Sequence, residues 1–275
     1  MAFIQCDFHS ETLRMACSMN VILPQATSSS QIGMPSRAEP GRHKVLYLLH
    51  GLSDDHTIWM RRTSIERYVA PYGIAVVMPA VHRSFYTDMD RGGRYWTFVS
   101  EELPRLCREF FPLSKAREDN FVAGLSMGGY GAFKMALACP ESFGGAVSLS
   151  GALDVARLVS AMQGDATFQE ELVNIFGDVD AIAGTDNDLL KLLGDVADSG
   201  RPRPRLFAVC GTDDLLLTAN RTFRDEAETL DYPLDYREDK GTHEWGFWDR
   251  WMPRVLQWML VGDRASGPLA EDDDA

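Results

Sequence analysis

The chain has 275 residues, 45% of them hydrophobic and 24% charged, with a formal net charge of −13. That length and composition suit an ordinary globular protein whose core needs neither disulfides nor metals, and the negative balance argues against a polyanionic partner such as nucleic acid. No apolar run is long enough to cross a bilayer, and Met1–Asp7 lacks the basic start and apolar stretch of a signal peptide.

Phe3–Phe8 and Leu13–Leu23 carry β-branched and apolar residues around a polar turn at Ser10-Glu11, which predicts an antiparallel hairpin opening a sheet. The stretch from Pro24 to His43, rich in Ser, Pro and Gly, reads as an exposed loop. From Val45 the rhythm changes. Val45–Leu49 is a continuous apolar run, as expected of a strand covered on both faces, and Ile74–Met78, Phe121–Ala123, Gly145–Leu149 and Leu206–Val209 repeat it. Helical spacings separate these runs: a short stretch at Ser64–Tyr68, then Trp96–Phe111, Thr218–Thr229 and Asp249–Leu260. Doubly buried strands alternating with helices predict an α/β fold with a mostly parallel central sheet and helices on both faces. Between Leu153 and Gly200, amphipathic pieces such as Phe168–Phe176 fit either a small helical cap or helices packed on the sheet. The expected organisation is one domain over residues 1–262, followed by an acidic, disordered tail over 263–275 that holds Glu271, Asp272, Asp273 and Asp274.

The most informative run is Phe121–Gly131, where Gly124-Leu125-Ser126-Met127-Gly128 follows a buried strand and opens a helical pattern. This is the context in which Gly-x-Ser-x-Gly marks a nucleophile elbow: a sharp turn thrusts one hydroxyl outward while two glycines remove Cβ atoms where strand and helix crowd. Ser126 is therefore the candidate nucleophile. The Met127 N–H, at the helix start, can donate to an oxyanion. A second donor is needed, and the α/β-hydrolase fold supplies it at the end of the first parallel strand, here His50-Gly51-Leu52; the candidate is the Leu52 N–H. The His50 side chain is expected to order this loop, not to act on substrate.

In that fold the base follows the acid, which follows the serine. After Ser126 the chain has one histidine, His243, which makes it the candidate base. The acid is expected after the strand Leu206–Val209, where Asp213 and Asp214 stand side by side. Chemistry alone does not separate the two, and either could simply cap the following helix. Asp231, Asp235 and Asp239 are weaker candidates. Trp245, Phe247 and Trp248 follow His243 and could wall an acyl or aryl pocket, Trp245 being the one expected near it; Arg91–Arg94 could hold an anionic group but reads more readily as a solvated turn. The remaining histidines (9, 43, 56, 82) show no ligand spacing, so no metal site is expected. The five cysteines are odd in number and without zinc spacing, which suggests reduced, mostly buried thiols in a cytoplasmic protein.

With these residues in place the chain resembles the esterase D / S-formylglutathione hydrolase family of α/β hydrolases, most closely its small bacterial tributyrin esterases. The matching stretches are Leu46–Gly51, Tyr86-Thr87-Asp88, Glu101–Pro104, Gly124–Gly131, Cys210–Asp214 and Gly241–Trp245, in the family's order across most of the chain. The resemblance implies short-chain carboxylesterase activity without a cofactor. Through the family pattern Gly-x-x-Asp it also implies Asp214 as the acid, with Asp213 left aside. Formylglutathione hydrolases proper tend to carry a serine at the position of His50, a departure that argues against that substrate as the main one.

The expected function is hydrolysis of short acyl esters of small molecules through an acyl-enzyme, with Ser126, Asp214 and His243 as the triad. Thioester hydrolysis (S-formylglutathione included), acyl transfer, and acetyl or feruloyl carbohydrate ester hydrolysis would use the same constellation. A non-catalytic binding protein would have lost a triad member, and none is lost. No nucleic acid and no membrane are expected as partners. The sequence leaves self-association open, with exposed helices at the sheet edges as the route to a homo-oligomer.

Overall fold

A computed structural model describes residues 1–26, 41–161 and 166–261. Most of the predicted Pro24–His43 loop and the whole acidic tail lie outside the described residues. Eight strands form one sheet: β1 (Ala2–Ser10), β2 (Met15–Leu23), β3 (Val45–Leu49), β4 (Ala75–Pro79), β5 (Asn120–Leu125), β6 (Gly145–Leu149), β7 (Arg205–Gly211) and β8 (Leu234–Asp239). Their spatial order is β1-β2-β4-β3-β5-β6-β7-β8. The hairpin β1–β2 is antiparallel and joins β4 antiparallel, whereas every other neighbouring pair is parallel. The expected α/β-hydrolase sheet with its N-terminal hairpin is what forms.

The continuous apolar runs are explained by what covers them. Alternate side chains of a strand point to opposite faces. Val45, Tyr47 and Leu49 of β3 join one core layer, with residues of α4 (Leu103–Phe110), α5 (Met127–Ala138), α8 (Leu189–Asp198) and α9 (Leu217–Thr229). Leu46 and Leu48 face the other layer, built from α1 (Ile58–Arg62), α2 (Ile65–Val69) and α10 (Trp245–Val261). No residue of β3 meets water.

Three elements differ in detail from the sequence reading. The helical spacing over 96–111 reads as one helix, but the chain runs from α3 (Tyr95–Thr97) through a π-helical turn (Phe98–Glu102) into α4. That turn aims buried Glu102 at the hairpin, where its carboxylate accepts from Ser10 Oγ at 2.5 Å, Glu11 N at 2.8 Å and Thr12 N at 3.2 Å. Burial alone would raise the Glu102 pKa; these hydrogen bonds bring it below the usual value. Secondly, the five-residue α1 was not expected. Thirdly, α10 begins at Trp245, directly behind His243, and not at Asp249. The 153–200 region holds α6 (Val155–Ala161), α7 (Ala166–Phe176) and α8. Here α7 meets the loop after β4 through Asp90 N to Ile175 O (3.1 Å) and Arg91 N to Asn174 O (2.9 Å).

The topology itself locates a crevice. The chain leaves β3 toward β4 on one side, whereas it leaves β5 toward β6 on the other. In open α/β sheets, ligands bind outside the carboxyl ends of strands at such a reversal, and these ends carry His50–Leu52 and Ser126.

Candidate active site

Ser126 joins β5 to α5 with φ 54° and ψ −120°. A non-glycine residue there costs about 1–3 kcal/mol and persists only where its surroundings over-determine it. They do. The Ser126 N–H donates to Leu149 O (3.0 Å), and its carbonyl accepts from Tyr130 N and Ala152 N (both 3.1 Å). A Cβ on Gly124 would overlap the Gly128 carbonyl, and one on Gly128 would stand 2.5 Å from Leu49 O. The motif's glycines are thus required by backbone packing between β5, α5 and the end of β3. Ser126 stays half-buried while its neighbours are fully covered.

The end of β3 passes beside this serine: a Cβ on Gly51 would lie 3.8 Å from Ser126 Cβ. Neither the Leu52 nor the Met127 N–H meets an acceptor among the described residues. For Met127, the first residue of α5, that is the ordinary state of a helix N-terminus. His50 is buried, and its Nε2 accepts from Val81 N at 3.1 Å, so Nδ1 carries the proton and donates to Gly51 O at 2.8 Å. Burial lowers its pKa to about 4, the Gly51 hydrogen bond opposing only in part. The ring is neutral and ties the loop together through both its nitrogens.

Asp214 and His243 come from separate loops tied by backbone. Thr212 N donates to Asp239 O (2.9 Å), and Asp213 N donates to Gly241 O (3.0 Å). A Cβ on Gly211 would overlap the Gly241 carbonyl, so the two loops touch. The neighbouring aspartates part here. Asp213 is exposed, with a 3.2 Å hydrogen bond from Thr212 Oγ1, whereas the Asp214 side chain is fully covered. His243 Nδ1 lies 2.9 Å from Asp214 Oδ2 and 3.1 Å from Oδ1, and Leu216 N donates to Oδ1 at 2.8 Å. Burial raises the Asp214 carboxyl, but the hydrogen bond and charge of His243, the Leu216 N–H and the Ser150 hydroxyl together hold it below the usual range. A carboxylate at Asp214 favours the His243 tautomer that carries its proton on Nδ1.

Of two further neighbours of this pair, Trp248 was passed over in the sequence for Trp245, and Ser150 was missed. Trp248 stands edge-on to His243, with ring centres 4.9 Å apart, and its Nε1 donates to Ser150 Oγ at 3.2 Å. Ser150 is buried with φ 47°, one residue past β6, and its hydroxyl contacts Asp214. Ser-Gly just past a buried strand is the signal that could have drawn attention to it. Trp245 sits one ring further out, half-buried, 5.2 Å from Trp59 and 5.3 Å from Trp248. In the Arg91–Arg94 turn, Arg91 pairs with Asp90 and Arg94 with Asp88, all exposed or half-exposed.

The Esterase family model matches residues 24–259, nearly the whole described chain. The chain belongs to the esterase family. An acetyl esterase of Caldicellulosiruptor saccharolyticus is 30% identical to this esterase over 263 residues, covering 94% of this chain and 98% of that one. Among solved structures, the substrate-bound fluorophosphonate-binding serine hydrolase F of Staphylococcus aureus superposes with a TM-score of 0.84 at 35% identity, over 94% of this chain and 98% of that one. The apo S-formylglutathione hydrolase of the same organism superposes with a TM-score of 0.81 at 36% identity and the same coverage. The protein is thus a serine hydrolase that acts on carboxylic esters of small molecules. Among the described residues no helix is long and apolar enough to cross a membrane.

Proposed function

We propose that Ser126, His243 and Asp214 form the catalytic triad of a short-chain carboxylesterase. In the first half-reaction, Ser126 Oγ attacks the ester carbonyl while His243 Nε2 takes its proton, and the carbonyl oxygen becomes an oxyanion facing the Leu52 and Met127 N–H groups. Collapse breaks the C–O bond to the alcohol, which leaves with the proton from His243, and Ser126 is left acylated. Water then attacks the acyl carbon as His243 takes its proton, and the carboxylic acid departs as that proton returns to Ser126. The observation that carries this reading is the fully covered Asp214 carboxylate at 2.9 Å from His243 Nδ1, in a protein whose Ser126 stands strained on a two-glycine elbow.

The test is release of p-nitrophenol from short p-nitrophenyl esters. Ser126→Ala should lose at least about 10³-fold in kcat; equal turnover by mutant and wild type overturns the reading. A second reading is thioester hydrolysis, favoured by the likeness to the Staphylococcus aureus S-formylglutathione hydrolase; acetyl or feruloyl carbohydrate esters are further substrates of the same chemistry. The kcat/KM ratio between a formyl thioester and p-nitrophenyl acetate separates the two. We read residues 1–262 as one domain in which 153–200 is a helical region, either a small cap or helices packed on the sheet, and α8, which shares the core layer of α5, favours the second. A cytoplasmic setting fits the five unpaired cysteines, three of them buried. Self-association would be read directly by light scattering.

A further inference from the structure

Lys134 lies about two turns along α5 from Ser126 and is buried, an unusual place for an ammonium. Its Nζ donates to Asn187 Oδ1 at 2.6 Å, Thr87 Oγ1 at 2.9 Å and Tyr86 O at 3.4 Å. Three donors thus meet three acceptors, all of them uncharged oxygens. The rings of Trp96 and Tyr130 flank it at 4.9 Å and 5.7 Å. Among the described residues no carboxylate comes within ion-pair distance of it: nearby Asp88 pairs with Arg94, and Asp186 with Lys191.

What it grips is a strained segment next to the candidate oxyanion site. Phe85 and Tyr86 are consecutive non-glycine residues with φ 49° and 52°, a conformation that needs outside support. The Tyr86 ring lies on Gly131 of α5, where a Cβ would come within 2.5 Å of it. Its hydroxyl reaches back to the end of β3 and donates to His50 O at 2.9 Å. A chain of direct contacts therefore runs from Lys134 through Tyr86 to the peptide just before Gly51 and Leu52. The Tyr86-Thr87-Asp88 stretch of the sequence finds its role here: Tyr86 and Thr87 receive the clasp, and the Asp88 carboxylate accepts from Thr97 N and Oγ1 at 2.9 and 2.6 Å.

We propose that Lys134 is a positioning residue of the esterase, a protonated clasp that holds Tyr86 against α5 and so sets the height of the Leu52 N–H over Ser126. The inference rests on the oxyanion role proposed above for Leu52. The clasp depends on its proton: a neutral amine has one donor fewer than the three acceptors require. The groups facing it are the carboxylates of Asp88 and Asp186 and the phenols of Tyr86 and Tyr130, both of which burial holds protonated. Burial lowers the Lys134 pKa to about 7, against the pull of Asp88 and Asp186. Loosening of the clasp therefore places an alkaline limb on kcat. Stability moves the other way. The unfolded chain keeps this proton to the ordinary lysine value of about 10.5, so between about pH 7 and 10 this group favours the folded state as pH rises.

The test is kcat and KM for p-nitrophenyl acetate from pH 6 to 9.5, alongside melting temperature, in wild type, Lys134→Met, Lys134→Arg and Tyr86→Phe. Wild type should lose kcat on the alkaline side without a matching fall in melting temperature or rise in KM. Lys134→Met should have kcat lowered about tenfold, the scale of a small misplacement at a reacting centre, with no alkaline limb. Lys134→Arg, which stays charged, should keep activity to higher pH. If the lysine variants do not fold, Tyr86→Phe alone should lower kcat several-fold with KM within about twofold. Wild-type kcat and limb in Lys134→Met, or wild-type kcat in Tyr86→Phe, would overturn the proposal. Retained activity in Ser126→Ala would instead overturn the esterase mechanism on which it rests.

Discussion

The proposed nucleophile side and the proposed acid–base side of the site are built in different ways. Ser126 is placed by one continuous stretch: Gly124 to Gly131 turns on itself, and the contacts that hold the serine come from α5 itself, from the end of β6 and the loop after it, and from the end of β3 against Gly128. His243 and Asp214 lie 29 residues apart in the chain, and they meet only because β7 pairs with β8 in the register Gly211↔Asp239. One half is a local motif on a buried helix. The other is a product of sheet assembly near the open edge, where β8 is only partly covered. Damage to the first should cost fold and function together, whereas damage to the second should cost function first.

The largest effect separating the halves is expected at the acid. Asp214→Asn leaves His243 without its anionic partner and should lower kcat by about 10³-fold or more with little change in melting temperature, while Asp213→Asn should stay within about twofold. Comparable losses in both, by p-nitrophenyl acetate kinetics, would break the assignment of partners. Gly128→Ala is the counterpart on the other half. Its Cβ would press on the Leu49 and His50 carbonyls at 2.5 and 2.7 Å, so a loss of about 2–4 kcal/mol in denaturant unfolding should accompany the loss of activity.

A smaller effect tests the rigidity of the β3 end through pH. The folded pKa of His50, near 4, lies below the ordinary 6.5. The unfolded chain therefore takes up this proton first as pH falls. The contribution of His50 to stability is intact above about pH 6.5, declines toward pH 4 and changes no further below it, by about 3 kcal/mol at most. Melting curves of His50→Gln should be correspondingly flatter over that window. The smallest effect is expected at the exposed Arg83–Glu171 pair linking the loop after β4 to α7: Arg83→Ala should change stability by less than about 1 kcal/mol.

The same contrast explains what the sequence disclosed. The inner strands were legible because both sheet faces are covered there, and the nucleophile because its motif is packed into eight residues. The choice between Asp213 and Asp214 was not legible from chemistry, because the β7–β8 register decides which carboxylate turns inward; only the family pattern pointed to Asp214. Trp248, not Trp245, touches His243 because side chains on α10 lean back toward its N-terminus. The π-turn at Phe98–Glu102 was hidden inside apolar spacing that reads as one regular helix. Nothing in the sequence marks Lys134, and only the packing of other elements around α5 reveals that it is enclosed.

The central claim is that ester cleavage passes through an acyl group on Ser126. It is tested most directly by mixing the enzyme with p-nitrophenyl acetate, quenching with acid within milliseconds, and mapping the acetylated peptide by mass spectrometry. The account predicts one acetylated site, at Ser126, with the label absent in Ser126→Ala and the burst of p-nitrophenol lost with it. Turnover that persists in Ser126→Ala, or a label on another residue that forms at the rate of turnover, would contradict it.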